Sequence, residues 1–510
     1  MLRKNWGPLG AVSLVAILAA QAASAQTVPT SDSRIDQLQT EVKTLEHELQ
    51  GLKGRTTEAG KAYATATPLL TKAPVVAGAV VQMSPFNRPS ICTADLQNCI
   101  GITSRIHVDA GGYWYRPDTT LTTPQKLDNG PNVRRARIGL TGTFNTDWNF
   151  QIVYDFGGSS DGLPPVSGAP VSGIENAFIG YTGIKPVVFD FGYMDTPYTL
   201  DEMTSSNDVM LMERPSPQVI ATSFAGSDAR AAAGLHGNTD RFWTGAYLTG
   251  PLAGTTHIFS PTATAAGSPG TLGSPGFAEQ IGAVSRASFQ LLQEKNYSLH
   301  IGADASFVFN AVGANTLTLS DRPEVRIDPT VIMTTGSMTN IAHAQVYSGE
   351  AAGGYGPLYV QGEYFQYNVE RLNGLPTLQF DGWYVQAGWS LTGETRKYNP
   401  LTGGYNGIVP DSPFSLAKGK WGAWEIVGRY SRMDLNDLFT PGIAAATTNG
   451  VAGGVQEVYA AGLNWNVSRN VRFMLNYVHG DVAKCSGVAP LGADIGAKFN
   501  AVATRAEVFF

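Results

Sequence analysis

The sequence predicts an all-β protein: a transmembrane antiparallel β-barrel of about sixteen strands, preceded by a short coiled-coil helix. Three observations carry that prediction. The chain closes on Lys498–Phe510 (KFNAVATRAEVFF), where Val502, Ala506, Val508 and Phe510 share one parity and Arg505 and Glu507 the other. The same alternation recurs from Ser104 onward, in segments of roughly nine to eleven residues, the length of a tilted strand crossing a bilayer. The N-terminus carries an export signal, and after it no apolar run reaches the ~18 residues of a membrane helix. Inside a bilayer every backbone polar group must be paired within the protein, so a chain that crosses without helices crosses as a closed barrel.

Composition agrees. The chain of 510 residues has 58 glycines, 10% aromatic residues and only 15% charged residues, a balance suited to tight turns and a lipid-facing belt. The formal net charge is −6, and losing Arg3 and Lys4 with the signal makes it −8. An acidic chain of this kind is a poor partner for nucleic acid, whose backbone demands a basic surface.

Taken in order, residues 1–25 form the signal peptide: Arg3 and Lys4 start it, Leu9–Ala20 are its apolar centre, and Ala23-Ser24-Ala25 offer the cleavage site. Residues 26–53 hold a coiled-coil helix, with Ile35, Leu38, Val42, Leu45, Leu49 and Leu52 spaced 3, 4, 3, 4, 3, the a/d seam of a short heptad run. One helix cannot bury such a stripe alone, so the seam predicts self-association; docking on another partner is the alternative. Residues 54–103 read as a linker or periplasmic segment. Cys92 and Cys99 are close enough to close a small loop, while Cys485 has no evident partner.

Residues 104–510 are the barrel. Strands are expected to begin near 104, 133, 148, 174, 187, 228, 240, 279, 297, 343, 357, 380, 421, 456, 469 and 498. Short connections such as Asn145-Thr146-Asp147 alternate with long ones such as 194–227, as an up-and-down barrel requires. Residues 392–420 break the rule, being long where a short turn is due. They are either an elaborated turn or a hidden hairpin that would raise the count to eighteen.

By parity Arg135 and Arg137 point into the lumen, because Ala136 and Ile138 beside them face lipid. Arg105, Arg429 and Arg472 fall on polar parities, Arg230 and Arg286 less cleanly. A wall of guanidiniums suits anion passage, since Arg stays charged and forks onto oxyanions. The competing reading pairs the same arginines with cross-strand acids such as Asp109, Asp155, Glu363 and Glu425. Enzyme signatures are lacking. Gly158-Ser159-Ser160-Asp161-Gly162 matches G-x-S-x-G but falls in a loop rather than a strand-to-helix elbow. No zinc, P-loop or paired-histidine pattern is present, so neither metal nor cofactor is expected.

Several segments together resemble the phosphate- and polyphosphate-selective porins, the porin O and P family. They are Arg134–Leu140 (RRARIGL), Asp147–Phe156, Asn176–Gly183 (NAFIGYTG), Thr204–Arg214 (TSSNDVMLMER), Gly356–Tyr364 (GPLYVQGEY), Tyr384–Glu394 (YVQAGWSLTGE), Gly422–Leu438 and Gly462–Tyr477. The resemblance covers roughly residues 104–510 and keeps the family's order. It implies a homotrimer of sixteen-stranded barrels in the outer membrane of a Gram-negative bacterium, passing small anions, phosphate-like solutes above all. It also implies that the loop after the fifth strand, about 194–227, folds inward and narrows the pore. Where the family commonly has a lysine just after that strand, this chain has Met194-Asp195, and the loop segment carries Asp195, Asp201, Glu202, Asp208, Glu213 and Asp228 against Arg214 alone. A weakly selective general porin is therefore the runner-up, and a structural or adhesive surface barrel the reading from another class.

The heptad seam yields the first test. With Leu45→Cys in the full-length protein, oxidation should trap disulfide-linked protomers; their absence would refute the coiled coil.

Overall fold

A computed structural model describes residues 79–83, 88–117, 126–157, 173–226, 230–252, 281–294, 296–310, 315–486 and 491–510. The signal peptide and the coiled-coil helix expected at 1–25 and 26–53 lie outside the described residues.

Sixteen strands form the wall: β1 (Cys99–Pro117), β2 (Gly130–Phe144), β3 (Trp148–Asp155), β4 (Gly173–Ile184), β5 (Val187–Met194), β6 (Arg230–Asn238), β7 (Phe242–Leu252) and β8 (Ile281–Gln293), then β9 (Tyr297–Asn310), β10 (Ile341–Tyr355), β11 (Leu358–Arg371), β12 (Leu378–Ser390), β13 (Ala423–Asp437), β14 (Val451–Asn466), β15 (Val471–Ala483) and β16 (Ala497–Phe509). Each pairs antiparallel with its neighbours. The barrel closes where β16 meets β1, with Val508 opposite Ile106 and Arg505 opposite Asp109. Closure pairs β1 with β16 from Ser104 to Pro117 and so removes the strand edge there, the condition a bilayer imposes.

Alternation decides which side each residue faces. On β3, Phe156 just past the strand is 63% exposed and Trp148, Ile152 and Tyr154 are exposed, whereas Val153 is 6% exposed. On β16 the buried parity includes Phe499, Ala501, Ala503, Arg505 and Glu507, so the charged pair of the closing strand points inward. The rise of about 3.3 Å per residue makes these strands long enough to span the hydrocarbon core.

β1 begins at Cys99 rather than near 104, and the stretch expected as a linker contains a hairpin, Ala79–Met83 with Pro89–Thr93. The reason is a mismatch of lengths. The last residue, Phe510, reaches only Ser104, exchanging backbone hydrogen bonds of 2.9 and 3.1 Å with it. Upstream of that point β1 has an open edge, and the hairpin takes it, pairing Ser90 with Gly101 and Cys92 with Cys99. A Cys92–Cys99 disulfide ties the two together, and Cys485 is a free thiol.

The connection 391–422 is an elaborated turn, and the count stays at sixteen. Its small strand pair, Tyr398–Asn399 with Gly404–Tyr405, is separate from the wall. Two other segments fill the lumen from the long-loop rim. The connection after β5 carries α1 (Leu200–Met203) and α2 (Ser216–Ala225). Ile220, Ala221, Phe224 and Ala225 of α2 join an apolar cluster with Val346, Phe365, Tyr367, Phe380 and Met433 of the wall. Residues 315–340 fold in as well, burying Asp321, Glu324, Arg326 and Asp328.

Side chains on the two parities of β3 should therefore sit in different media. Spin labels at Phe150 and Gln151 are expected to be oxygen-accessible and water-accessible respectively, and equal accessibility would refute the strand's placement.

Candidate functional site

The loop after β5 runs across the lumen and must find partners for backbone groups that no longer see water. Side chains supply them, mostly arginines of the wall. The carbonyl oxygen of Asp208 accepts from Arg396 at 2.7 Å, that of Val209 from Arg472 at 2.8 Å and that of Met210 from Asn464 at 2.9 Å. Further along, Met212 accepts from Arg505 at 2.5 Å and Glu213 from Arg429 at 2.8 Å. Each such carbonyl left alone would cost about 1–3 kcal/mol.

Glu213 is the centre of this arrangement. Its carboxylate receives a two-point contact from Arg134 (2.8 and 3.0 Å), a 2.6 Å bond from Arg505, and Arg326 at 3.5 Å. Burial alone would raise its pKa, but Arg134, Arg505 and Arg326 together hold it well below the usual carboxylate range. Arg505 is also forked onto Asp109 at 2.6 and 2.7 Å, and Arg472 is bonded to Glu507 at 2.6 Å.

Opposite, the loop's start is held by acids. Glu363 accepts the amides of Leu200 (2.7 Å) and Asp201 (3.1 Å), and Asp304 that of Thr199 (3.0 Å). Asp304, Glu350 and Glu363 bring carboxylate oxygens within 4.8 Å of one another, a spacing a metal could use. Those oxygens are engaged, however: Glu350 by Arg286 and His300, both at 2.7 Å, Asp304 by Ser348 at 3.1 Å, and Glu363 by Tyr384 at 2.5 Å.

The arginines that sequence parity singled out separate into two groups. Arg230 donates to the carbonyls of Gly226 (2.8 Å) and Ser223 (3.1 Å), capping the end of α2. Arg429 bonds Glu324 at 2.6 Å besides the Glu213 carbonyl, and Arg472 holds Val209 and Glu507. Arg105, Arg135 and Arg137 instead line the β1–β2 side. Arg105 contacts Ser206 and reaches Ser205 at 3.2 Å. Arg137 bonds Asp155 at 2.7 Å and contacts Glu175. Next to them the inward Thr141, Thr143, Asn149 and Gln151 stay half-exposed, while inward residues of β10–β15 are mostly buried. The open part of the lumen lies against β2 and β3.

The acidic residues of the loop are also divided. Arg214 bonds Asp201 at 2.6 Å and Glu202 at 3.1 Å, and Gln218 adds a 2.9 Å bond to Glu202. Asp208 lies in the fields of Arg472 and Arg396. Asp195 is exposed and acts electrostatically on both Arg105 and Arg137.

Arg134 escaped the parity argument. The β1–β2 register slips between His107, opposite Arg135, and Val108, opposite Val133, so Arg134 is an extra residue. This bulge turns both Arg134 and Arg135 inward, leaving them 1% and 5% exposed. Two adjacent arginines in a membrane strand were the available signal, since strict alternation would put one of them in hydrocarbon at a cost of about 2–4 kcal/mol.

The family model described as phosphate-selective porin O and P matches residues 100–510. The chain belongs to that family. It is an outer-membrane porin of the Gram-negative type, a channel that passes small anions. Porin O of Pseudomonas aeruginosa is 23% identical over 410 residues, spanning 76% of this chain and 84% of that one. An uncharacterised protein of Caulobacter vibrioides is 33% identical over 132 residues, 26% of this chain and 23% of that one. Among solved structures, the anion-selective porin from Comamonas acidovorans is similar at TM-score 0.44 and 13% identity, covering 81% of this chain and 100% of that one. The channel DcaP of Acinetobacter baumannii is similar at TM-score 0.44 and 11% identity, covering 82% and 99%.

In this porin the Glu213 cluster should be the loop's main fastening. Glu213→Gln leaves buried arginines short of a counter-charge, and a cost of about 3–5 kcal/mol is expected, read as a lower thermal midpoint and noisier single-channel current. A carboxyl whose folded pKa is depressed stabilises above its unfolded pKa, about 4.3, and loses that contribution only as pH falls through the folded value. The wild-type loop should therefore stay quiet on acidification to about pH 5, and added noise there would refute this account.

Proposed function

We propose that this porin is a passive channel for phosphate or small phosphorylated solutes, with a modest anion preference, and that solutes pass along β1–β3. Arg105 and Arg137 are the conducting residues in this reading, with the buried Arg135 acting on the path through its field, and Arg230, Arg429 and Arg472 are structural. The observation that carries it is the half-exposed polar strip of β2 and β3 beside Arg105 and Arg137, facing Ser205 on the inward loop. The family's description supports phosphate-like cargo. We further propose that residues 1–25 are removed on export, that 26–53 pair protomers in the periplasm, and that the porin works as a homotrimer.

A weakly selective general porin is the second reading. Asp155 and Glu175 sit on Arg137, and exposed Asp195 stands where relatives commonly carry a lysine. Charges at a narrow, low-dielectric constriction count for far more than the same charges in water, so a few residues decide the outcome.

Bilayer recording in a salt gradient separates the readings. Arg135→Ala with Arg137→Ala should move the reversal potential toward cation preference, and the wild-type preference should shrink as salt rises and the Debye length falls from about 10 Å at 0.1 M to about 3 Å at 1 M. No movement would make both arginines structural. Competition of phosphate against chloride current tests the cargo.

A further inference from the structure

The connection 391–422 turns inward over its first half, where Arg396 bonds Glu425 at 2.9 Å, and then comes out onto the rim. There Ser415 and Lys420 exchange two backbone hydrogen bonds of 3.0 Å around the turn Leu416–Lys418, with Gly419 in the left-handed region at φ 60. The turn is pinned to the ends of β13 and β14. The Phe414 amide donates to the Val467 carbonyl at 2.8 Å, and the Trp465 indole donates to the Trp421 carbonyl at 2.7 Å.

The result is an aromatic cluster on the outside of the barrel at its periplasmic end. Phe414 meets Trp465 edge-on at 5.4 Å, and Trp465 stacks on Trp424 at 5.4 Å and on Phe473 at 5.6 Å. The cluster continues the lipid-facing parity, where Ile426 and Leu475 are exposed. From it project Leu416, 74% exposed, and Trp421, 61% exposed. Lys418 and Lys420 are exposed in the same turn, and Arg469 is exposed on the adjoining turn between β14 and β15. Exposed Asp411, ahead of the turn, is the one acid among residues 411–422 and 466–470.

We propose that this turn is a binding site for the headgroup of an anionic phospholipid of the periplasmic leaflet. Trp421 and Leu416 enter the boundary between headgroup and acyl chain, the depth at which tryptophan is favoured. Lys418, Lys420 and Arg469 meet the phosphate, their apolar stems lying along the aromatic surface. The charge pattern selects the occupant. Three cations against one acid leave a net positive patch that repels a second copy of itself and complements an anionic leaflet.

The test uses the full-length protein reconstituted in mixed phosphatidylcholine and phosphatidylglycerol vesicles in which one lipid or the other carries brominated chains. Trp421 fluorescence is isolated as the difference between wild type and Trp421→Phe. Brominated phosphatidylglycerol should quench Trp421 at a several-fold lower mole fraction than brominated phosphatidylcholine. Lys418→Gln with Lys420→Gln should remove that preference, about fivefold for each lysine, while the barrel keeps its heat-modifiable migration on gels. Equal quenching by both lipids would overturn the site. So would quenching by neither, the result expected if a protein surface covers Trp421.

Discussion

A loop that enters a barrel gives up water on both sides of its backbone, and the interior of this porin is organised around that deficit. A wall strand spends its backbone groups on its neighbours, so the carbonyls of residues 208–213 are met by side chains, most of them from the wall. Arginine suits the task better than lysine, because one planar group can meet a carbonyl with one nitrogen and a carboxylate with the others. Arg505 does this with Met212, Asp109 and Glu213, and Arg429 with the Glu213 carbonyl and Glu324. Buried charges of this number are tolerable only when each is paired and hydrogen-bonded. The acids of the lumen are in that sense the counterpart of the loop's course.

This dependence extends beyond one loop. Glu324, from the connection between β9 and β10, accepts from Arg429 and Ser431 and from the Ser216 amide that opens α2. Arg396, from the opposite rim, pairs with Glu425 and caps the Asp208 carbonyl. Three segments far apart in sequence share one polar network, and the apolar face of α2 fills the sector against β8–β13. In the proposed reading passage is left to the other sector, where the inward residues of β2 and β3 include Thr141, Thr143, Asn149 and Gln151 beside Arg137 and Asp155. In that reading an off-centre passage follows from where α2 finds its apolar wall.

The strands were legible because alternation is a local signal: a residue's parity in β3 or β16 is decided by its immediate neighbours. The same rule failed at Arg134, where one extra residue reverses the parity of everything before it. The site was much less legible. Asp201, Glu202, Asp208 and Glu213 read as charges bearing on the pore, yet Arg214 bonds the first two, the third lies near Arg396 and Arg472, and Arg134 and Arg505 hold the fourth. Glu213 stands out in the structure through Arg505, 292 residues away, and no periodicity encodes such a contact. Arg326 and Arg396 lay in connections whose inward course has no local signature.

The same economy bears on selectivity. In the proposed reading an arginine already bonded to a buried carbonyl and a carboxylate contributes little attraction to a passing solute, because its charge is balanced where it stands. What a solute would meet in that reading is Arg105 and Arg137 on one wall, with the field of buried Arg135 behind them and Asp155, Glu175 and Asp195 nearby. Three cations set against three anions across a few ångströms make a local field rather than a net charge. Such a field orients a polar solute and is shortened by salt, whereas an uncompensated row would concentrate anions outright. Substitution of one acid, Asp195 above all, would tip this balance further than substitution of any arginine in the loop's fastening, because the latter changes where the loop lies before it changes what a solute encounters.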